Sequence, residues 1–333
     1  LIAQHYGSRV ESDLRRAGFN VINLPSRKWI SISKSIRIML FSNELQDSAM
    51  LVEITDNIGE KTLILNLNDS AAYGFEREII SISKQYKNTF YLSLHGYGDA
   101  DMINIFDFNG NKIEPLAALK FPVGKGIKSA MKKFKANVAI PFSSFHQYQR
   151  RDSFWANDYT TDIEDYKEEF KEEKNSILLP PFQEVYFKNG SFKNISINPE
   201  ENKINFPINE NEFGDNWDEI LTHKQVELCK DYFESIKKLK YNFSKITVTV
   251  GGIKNKVLSN GKGNASIDFN VPKNSLIRSI KNEIFDDLLI GNFMKTTLYK
   301  TKDLYSPDFT YTVGKYSDNG GVKTNSELKE YFA

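Results

Sequence analysis

Three segments of the sequence combine carboxylates, imidazoles and glycines in patterns that could do chemistry. In the first, residues 65–70, an apolar run leads into Asn68 and Asp69. A carboxylate there could hold a metal ion, because a strand fixes its position while the loop admits the ion. Alternatively, Asp69 caps the next helix by accepting backbone N–H bonds. The second segment, residues 94–101, combines His95 and Asp99 with two glycines, which let backbone approach a ligand closely. A plain turn is the alternative there.

The third segment, residues 140–159, is unusually dense in polar and aromatic side chains. Arg150 and Arg151 could clamp a phosphate or carboxylate through paired N–H bonds. Four aromatic side chains could stack on a base or sugar: Tyr148, Phe154, Trp155 and Tyr159. A solvated loop held by aromatic packing is the alternative, but long loops in compact domains usually have a function. Across the three segments, the candidate substrate-binding residues are His95, Asp99, Ser143, Arg150, Arg151, Asn157 and Asp158.

Short apolar runs precede all three segments and predict the strands that position them. These runs cover residues 63–67, 90–94 and 138–140, and helices are predicted between them over 73–86 and 124–136. This alternation of strand, polar loop and helix indicates an α/β layered fold, with the loops at the edge where open α/β sheets place their sites. We therefore expect the three loops to converge on one rim of the sheet.

The rest of the chain predicts further elements and a second structural unit. Before residue 60 we expect a helix over 8–17 and strands near 19–24, 29–32, 36–41 and 50–55. After residue 160 we expect helices over 162–174, 216–239, 274–296 and 325–332, with strands within 185–206, 245–258 and 264–270. The change in local sequence pattern after residue 160 predicts a first domain of residues 1–185 and an α+β extension of residues 186–333.

Composition bounds the functions open to the chain. The 333 residues carry a formal net charge of +1, which gives no overall argument for nucleic acid or a membrane surface, although local patches stay possible. The single cysteine, Cys229, excludes a disulfide framework and is expected to be a small core residue. We expect a cytoplasmic protein without a membrane partner, because neither a membrane-length apolar run nor a signal peptide is visible. The first residue is Leu1 rather than Met, and we expect a fragment.

In their order along the chain, the three segments resemble the metallo-β-lactamase superfamily. The closest branch is the β-lactamase-like part of CMP-N-acetylneuraminate hydroxylase and its bacterial relatives. The residues that carry the resemblance are Asn68-Asp69, Pro141-Phe142-Ser143, the stretch 152–158 and the later stretch 285–292. It covers residues 1–180 well and the remainder loosely.

This resemblance implies a partial αββα sandwich with a C-terminal α+β extension and a metal site, for zinc or iron, at one edge of its sheets. Asp69 would ligate the metal, His146 lies near the position of the last ligand histidine, and His95 would border the substrate pocket. The implied chemistry is attack by metal-bound hydroxide on an ester, amide or phosphoester, with a nucleotide-sugar among the candidate substrates.

The chain departs from the family in two ways. The main motif, His-x-His-x-Asp-His, is absent. In the family it lies upstream of the helix predicted over 8–17, so we expect residues outside this chain to complete the metal site. The hydroxylase relatives also use a Rieske cluster held by two Cys and two His, which Cys229 alone cannot supply. The alternative to a metallohydrolase is a non-catalytic module of the same fold that binds a nucleotide-sugar or glycan.

Overall fold

Two mixed β-sheets and their flanking helices make up the computed structural model of this chain, which confirms the predicted α/β layered class. One sheet has seven strands and the other has five, within the residues that the structure describes. Those residues are 2–3, 9–42, 48–68, 70, 72, 74–94, 102–115, 122–142, 145–170, 176–180, 183–188, 191–196 and 206–316.

The elements follow one another in mixed order along the chain. The strands are β1 Ile2–Ala3, β2 Asn23–Leu24, β3 Ile30–Ser31, β4 Ile36–Ser42, β5 Ser48–Thr55, β6 Lys61–Asn68, β7 Asn88–Ser93, β8 Ile105–Phe106, β9 Val138–Pro141, β10 Ile177–Leu178, β11 Gln183–Lys188, β12 Ser191–Ser196, β13 Phe243–Val250, β14 Ile253–Leu258, β15 Ala265–Asn270 and β16 Lys295–Tyr299. The α-helices are α1 Arg9–Arg16, α2 Glu76–Ser83, α3 Val123–Phe134, α4 Ile163–Lys167, α5 His223–Ser235, α6 Lys237–Asn242, α7 Lys273–Asn282, α8 Asp287–Ile290 and α9 Thr310–Tyr316. Short 3₁₀ helices cover Phe154–Tyr159, Glu168–Phe170 and Glu210–Phe213.

The seven-stranded sheet is half meander and half parallel crossover. Its strand order is β10-β9-β7-β6-β5-β4-β3; β3 to β6 pair antiparallel, whereas β6, β7, β9 and β10 run parallel. Leu51, Leu63 and Leu65 are fully buried on the face that packs against Ile79 of α2 and Ile127 of α3. The parallel half needs these helices because each parallel crossover must return the chain over the sheet.

A close approach of helices fixes this layer. Gly124 in α3 lies so near α4 that a Cβ at this position would come within 2.8 Å of the Tyr166 carbonyl oxygen. Tyr166 itself is fully buried in the same core. A glycine at position 124 therefore permits the helices to meet.

A charged cluster occupies one end of the helix-covered face. Glu53 is only 3% exposed, and its carboxylate lies 2.7 Å from Arg37 Nε and 3.3 Å from Lys61 Nζ. The Tyr86 hydroxyl also donates to it. Burial alone would raise the pKa of Glu53, but the hydrogen bonds from these three donors hold it below its ordinary value.

The opposite face of the seven-stranded sheet is apolar but only half-buried. Along β5 the burial alternates strictly, with Ala49 and Leu51 buried while Met50 and Val52 stay partly exposed. The β11–β12 hairpin reaches this face, where the Phe187 ring meets the Phe90 ring edge-on at 5.5 Å.

The five-stranded sheet forms a second core from the later part of the chain. Its order is β14-β13-β15-β16-β8, and its buried face packs against α5 and α7. Phe285 lies at the centre of this core, with ring-centroid distances of 5.1 Å to Phe233 and 5.2 Å to Phe269. The edge strand β8 comes from the first predicted domain and pairs in parallel with β16.

Several predicted boundaries change. The helical prediction over 274–296 is wrong at its end, because α8 stops at Ile290 and Lys295–Tyr299 pairs with β15 as a strand. The helix predicted from 216 begins only at His223, where Thr222 and Gln225 form a reciprocal cap. The strand predicted over 19–24 is reduced to Asn23–Leu24, and the helix predicted over 325–332 lies outside the described residues.

Candidate functional site

Three neighbouring parallel strands end level with one another. Asn68 at the end of β6 pairs with Ser93 at the end of β7, and Ser93 pairs with Pro141 at the end of β9. The Phe142 N–H continues this register by donating to the Ser93 carbonyl oxygen at 3.4 Å. All three predicted loops therefore leave the sheet at the same edge, which we call the carboxyl edge.

Four predicted site residues come after these strand ends in the sequence but lie outside the described residues. They are Asp69, His95, Asp99 and Ser143. Along the chain, Asp69 follows Asn68, and His95 comes two residues after Ser93.

An unsatisfied oxygen lies close to the carboxyl edge. Asn66 sits in β6 two residues before its end and pairs with Leu92 of β7. Its Oδ1 atom is buried and has no hydrogen-bond partner among the residues that the structure describes. Buried side-chain oxygens are normally paired, and a bound water or ion is one way to satisfy an unpaired one. Sequence reasoning did not select Asn66, although an amide inside the apolar run 63–67 was the available signal.

The Arg150 guanidinium is engaged by two carboxylates of the protein itself. Its Nη1 donates to Asp215 at 2.7 Å, while Nε and Nη2 bind the two oxygens of Asp152 at 3.0 and 2.8 Å. Its guanidinium also stacks 3.9 Å from the Phe293 ring centroid. Burial lowers the pKa of Arg150, but the two carboxylates more than offset that and raise it above its ordinary value. The donors predicted for a substrate anion are thus engaged by the protein itself.

Arg151 lies beside it on the surface. Its side chain is 58% exposed, and Nη2 donates to Glu210 at 2.6 Å. Its backbone N–H donates to the Ile208 carbonyl oxygen at 2.8 Å. The two arginines therefore fasten residues 150–152 to residues 208–215 instead of forming a joint clamp.

Asn157 and Asp158 have different environments. The Asn157 amide accepts from the Tyr148 N–H at 2.8 Å and donates to the Tyr148 carbonyl oxygen at 2.9 Å, so it fixes the backbone of the loop. Asp158 is exposed, and its charge acts on the nearby ammonium of Lys112. Exposed His146 meets the Tyr148 ring edge-on at 5.2 Å.

The aromatic rings that were predicted to stack on a ligand contact a lysine side chain instead. The ammonium of Lys112 lies 3.6 Å from the Trp155 ring centroid and 4.9 Å from that of Tyr159. Burial lowers the pKa of Lys112. This cation–π contact joins the hairpin that contains β8 to the loop that follows β9.

A buried asparagine connects that loop to the second core. Asn292 is fully buried, and its Nδ2 donates to the Tyr148 hydroxyl at 3.0 Å. Its Oδ1 accepts from the Ile103 N–H at 2.9 Å. Asn292 belongs to the stretch 285–292 quoted for the resemblance, so this stretch meets the loop of residues 145–159. Sequence reasoning did not select Asn292 as a contact of this loop.

Comparisons with protein-family models, with curated proteins and with solved structures found no match. The family resemblance therefore stays a prediction. Within the ranges that the structure describes, three or more His, Cys, Asp or Glu side chains are nowhere grouped to hold a metal, and Asp69, His95 and Asp99 are outside those ranges. None of the described helices has both the length and the apolar character needed to cross a bilayer.

Proposed function

We propose that this chain carries the carboxyl-edge part of a metal-dependent hydrolase of the metallo-β-lactamase fold. The observation that carries the proposal is the register of Asn68, Ser93 and Pro141, since three polar loops leave adjacent parallel strands at one edge. Sites of α/β proteins form at the carboxyl ends of strands for this reason.

The donor types that we propose at this edge suit a divalent metal. We assign Asp69 as a carboxylate ligand, His146 as an imidazole ligand, and the remaining ligands to residues outside this chain. The Oδ1 of Asn66, which has no partner among the described residues, would supply a further oxygen from β6. Carboxylate oxygen and imidazole nitrogen suit zinc and iron alike. When bound, the metal would activate a water for attack on an ester, amide or phosphoester.

We propose that His95, Asp99 and Ser143 hold the substrate. His95 and Asp99 follow β7 in the sequence, and Ser143 follows β9, so both segments begin at the carboxyl edge. The Asn157 amide holds the backbone of the loop that carries His146, which makes it a positioning residue. A nucleotide-sugar or a phosphoester is the proposed substrate class.

The half-buried apolar face of the seven-stranded sheet supports the proposal of an αββα sandwich. Met50 and Val52 stay partly exposed on this face, whereas the opposite face is sealed by helices. Apolar sheet faces of this kind are normally covered by a second layer. In the proposed αββα arrangement, residues outside the described ranges would supply that layer.

The alternative, a non-catalytic nucleotide-sugar or glycan-binding module, depended on the arginines and the aromatic loop. Asp152 and Asp215 engage the Arg150 guanidinium, and Lys112 covers the Trp155 ring. These contacts reduce the groups left for a ligand there, and we therefore place the metallohydrolase first.

Metal analysis of the natural full-length protein tests the proposal. We expect close to one equivalent or more of zinc, iron or manganese, and a large loss in Asp69→Asn. Less than about a tenth of an equivalent in the unaltered protein would contradict it, because protein metal sites normally bind tightly.

A matched variant controls for nonspecific loss. Asp13 is 65% exposed on α1 and pairs only with Arg16 in the described residues, far along the chain from the carboxyl edge. Asp13→Asn removes the same charge and should leave the metal content unchanged. Equal loss in both variants would count against Asp69 as a ligand.

A further inference from the structure

The outward face of the five-stranded sheet carries an excess of lysines, and we call it the lysine face. Lys256 and Lys254 on β14 are in register with Thr247 and Thr249 on β13, so all four share one face. This face is opposite the one that contributes Val248 and its neighbours to the core.

Register extends the same face across two more strands. Thr247 pairs with Asp268 of β15, and Asp268 pairs with Thr297 of β16. In the rows on either side, Asn270 pairs with Lys295, and Lys245 pairs with Ser266. With strands about 4.8 Å apart, four strands make a polar surface about 14 Å wide.

The charge on this face is unbalanced. The chain as a whole has 44 Lys and Arg against 43 Asp and Glu. Among the paired positions traced above, four are lysines and one, Asp268, is acidic.

That one carboxylate is already engaged. One Asp268 oxygen lies 2.9 Å from the Lys254 ammonium, and the other accepts from the Thr249 hydroxyl at 2.9 Å. Lys245 and Lys256 are exposed and, within the described part of the chain, have no carboxylate within ion-pair distance. The face therefore presents positive charge that the described residues do not neutralise.

We propose that the lysine face binds an anionic polysaccharide. Its centre carries the Asn270 amide and the Thr297 hydroxyl, which match the hydroxyls of sugars. The neighbouring Thr249 and Ser266 hydroxyls already bond Asp268 and Ser244. Its margins offer ammonium groups for carboxylate or sulfate substituents. A nucleic acid fits less well, because bases need open aromatic rings and the Lys295 ammonium covers the Phe106 ring at 4.0 Å. The inference does not depend on the metal site.

Fluorescence anisotropy with a labelled decagalacturonate, measured at low salt, tests the proposal. We expect saturable binding that weakens as salt rises, and no binding of a neutral maltodecaose with the same label. Lys245→Gln and Lys256→Gln should each weaken binding by about two- to fivefold, the range for exposed charge pairs. Asp268→Asn should strengthen binding, because it removes the only carboxylate of the rows traced above.

Lys281→Gln is the matched control. Lys281 is exposed at the end of α7, a helix that packs on the other face of the sheet. This change removes the same charge and should leave the affinity unchanged.

Three outcomes would overturn the proposal. The first is the absence of decagalacturonate binding by the unaltered protein. The second is an equal loss of affinity in Lys281→Gln and Lys256→Gln. The third is tighter, equally lysine-dependent binding of a thymidine decanucleotide, which would assign the face to nucleic acid instead.

Discussion

Two adjacent arginines make an internal comparison of buried and exposed ion pairs. The Arg150 side chain is 12% exposed and binds Asp215, which is 1% exposed, whereas Arg151 is 58% exposed. Replacing Arg150 by Met keeps much of the side-chain volume but leaves the Asp215 charge buried, with Ser275 as its remaining donor among the described residues. Removing one partner of a buried pair costs about 3–5 kcal/mol.

The same replacement at Arg151 should have little effect. Its partner Glu210 is itself only 12% exposed, but the Arg151 guanidinium is 58% exposed, so water screens this pair more than the Arg150 pair. We therefore expect Arg150→Met to lower the free energy of unfolding by at least about 2 kcal/mol more than Arg151→Met.

Urea unfolding followed by tryptophan fluorescence measures the difference. Trp217 reports on the network directly, because its Nε1 donates to Asp152 Oδ2 at 3.0 Å. If the two variants lose the same stability within about 0.5 kcal/mol, the argument that Arg150 forms a buried, stabilising ion pair is refuted. Loss of ligand affinity in Arg150→Met at unchanged stability would instead indicate that Arg150 binds the substrate.

Four further predictions concern buried polar groups. Glu53 has a lowered pKa, so its stabilising contribution is present above the unfolded pKa of about 4.3 and is lost as the pH falls through the folded pKa. The difference in free energy of unfolding between the unaltered protein and Glu53→Gln should therefore shrink in acid. A difference that grows in acid would contradict this. Burial and the hydrogen bond to Glu53 raise the pKa of Tyr86 to about 12, so in an ultraviolet pH titration this hydroxyl should ionise later than exposed tyrosines. Burial likewise raises the pKa of Cys229 to about 12, and a thiol reagent should label it only on unfolding; rapid labelling of the native protein would disprove its burial. Asn292→Ala should cost about 1–3 kcal/mol in urea unfolding, because it leaves the buried Ile103 N–H unsatisfied; a cost near zero would remove Asn292 as the connection between the loop and the second core.

Local sequence patterns were sufficient to predict strands and helices where the hydrophobic periodicity was strong. The apolar runs before each polar loop became β6, β7 and β9, and the helices between them were predicted within a few residues of α2 and α3. Their parallel order follows from the intervening helices, so the shared carboxyl edge could be predicted from the sequence alone.

Elements that depend on distant partners could not be predicted in the same way. Strand β16, Lys-Thr-Thr-Leu-Tyr, is short and follows two helices, so its strand character is visible mainly through its pairing with β15. Strand β8 has two residues and pairs with β16 almost two hundred residues later, a separation that no local pattern records.

At the candidate site, too, the contacts that could not be predicted are those with residues distant in the sequence. The arginine pair predicted a clamp from residue type alone, but the partners of Arg150 include Asp215, which is 65 residues away. The aromatic loop predicted stacking platforms, and the ring of Trp155 was instead covered by Lys112 from another hairpin. Residue type indicates what a side chain can bind, whereas the tertiary fold decides what it meets.

The central claim is that a metal lies at the carboxyl edge of β6, β7 and β9. Crystals of the natural protein grown with zinc, measured on both sides of the zinc absorption edge, test it most directly. The account predicts an anomalous peak about 2.0–2.2 Å from a carboxylate oxygen of Asp69. A peak elsewhere on the molecule, or well-ordered density at this edge without an anomalous signal, would contradict it.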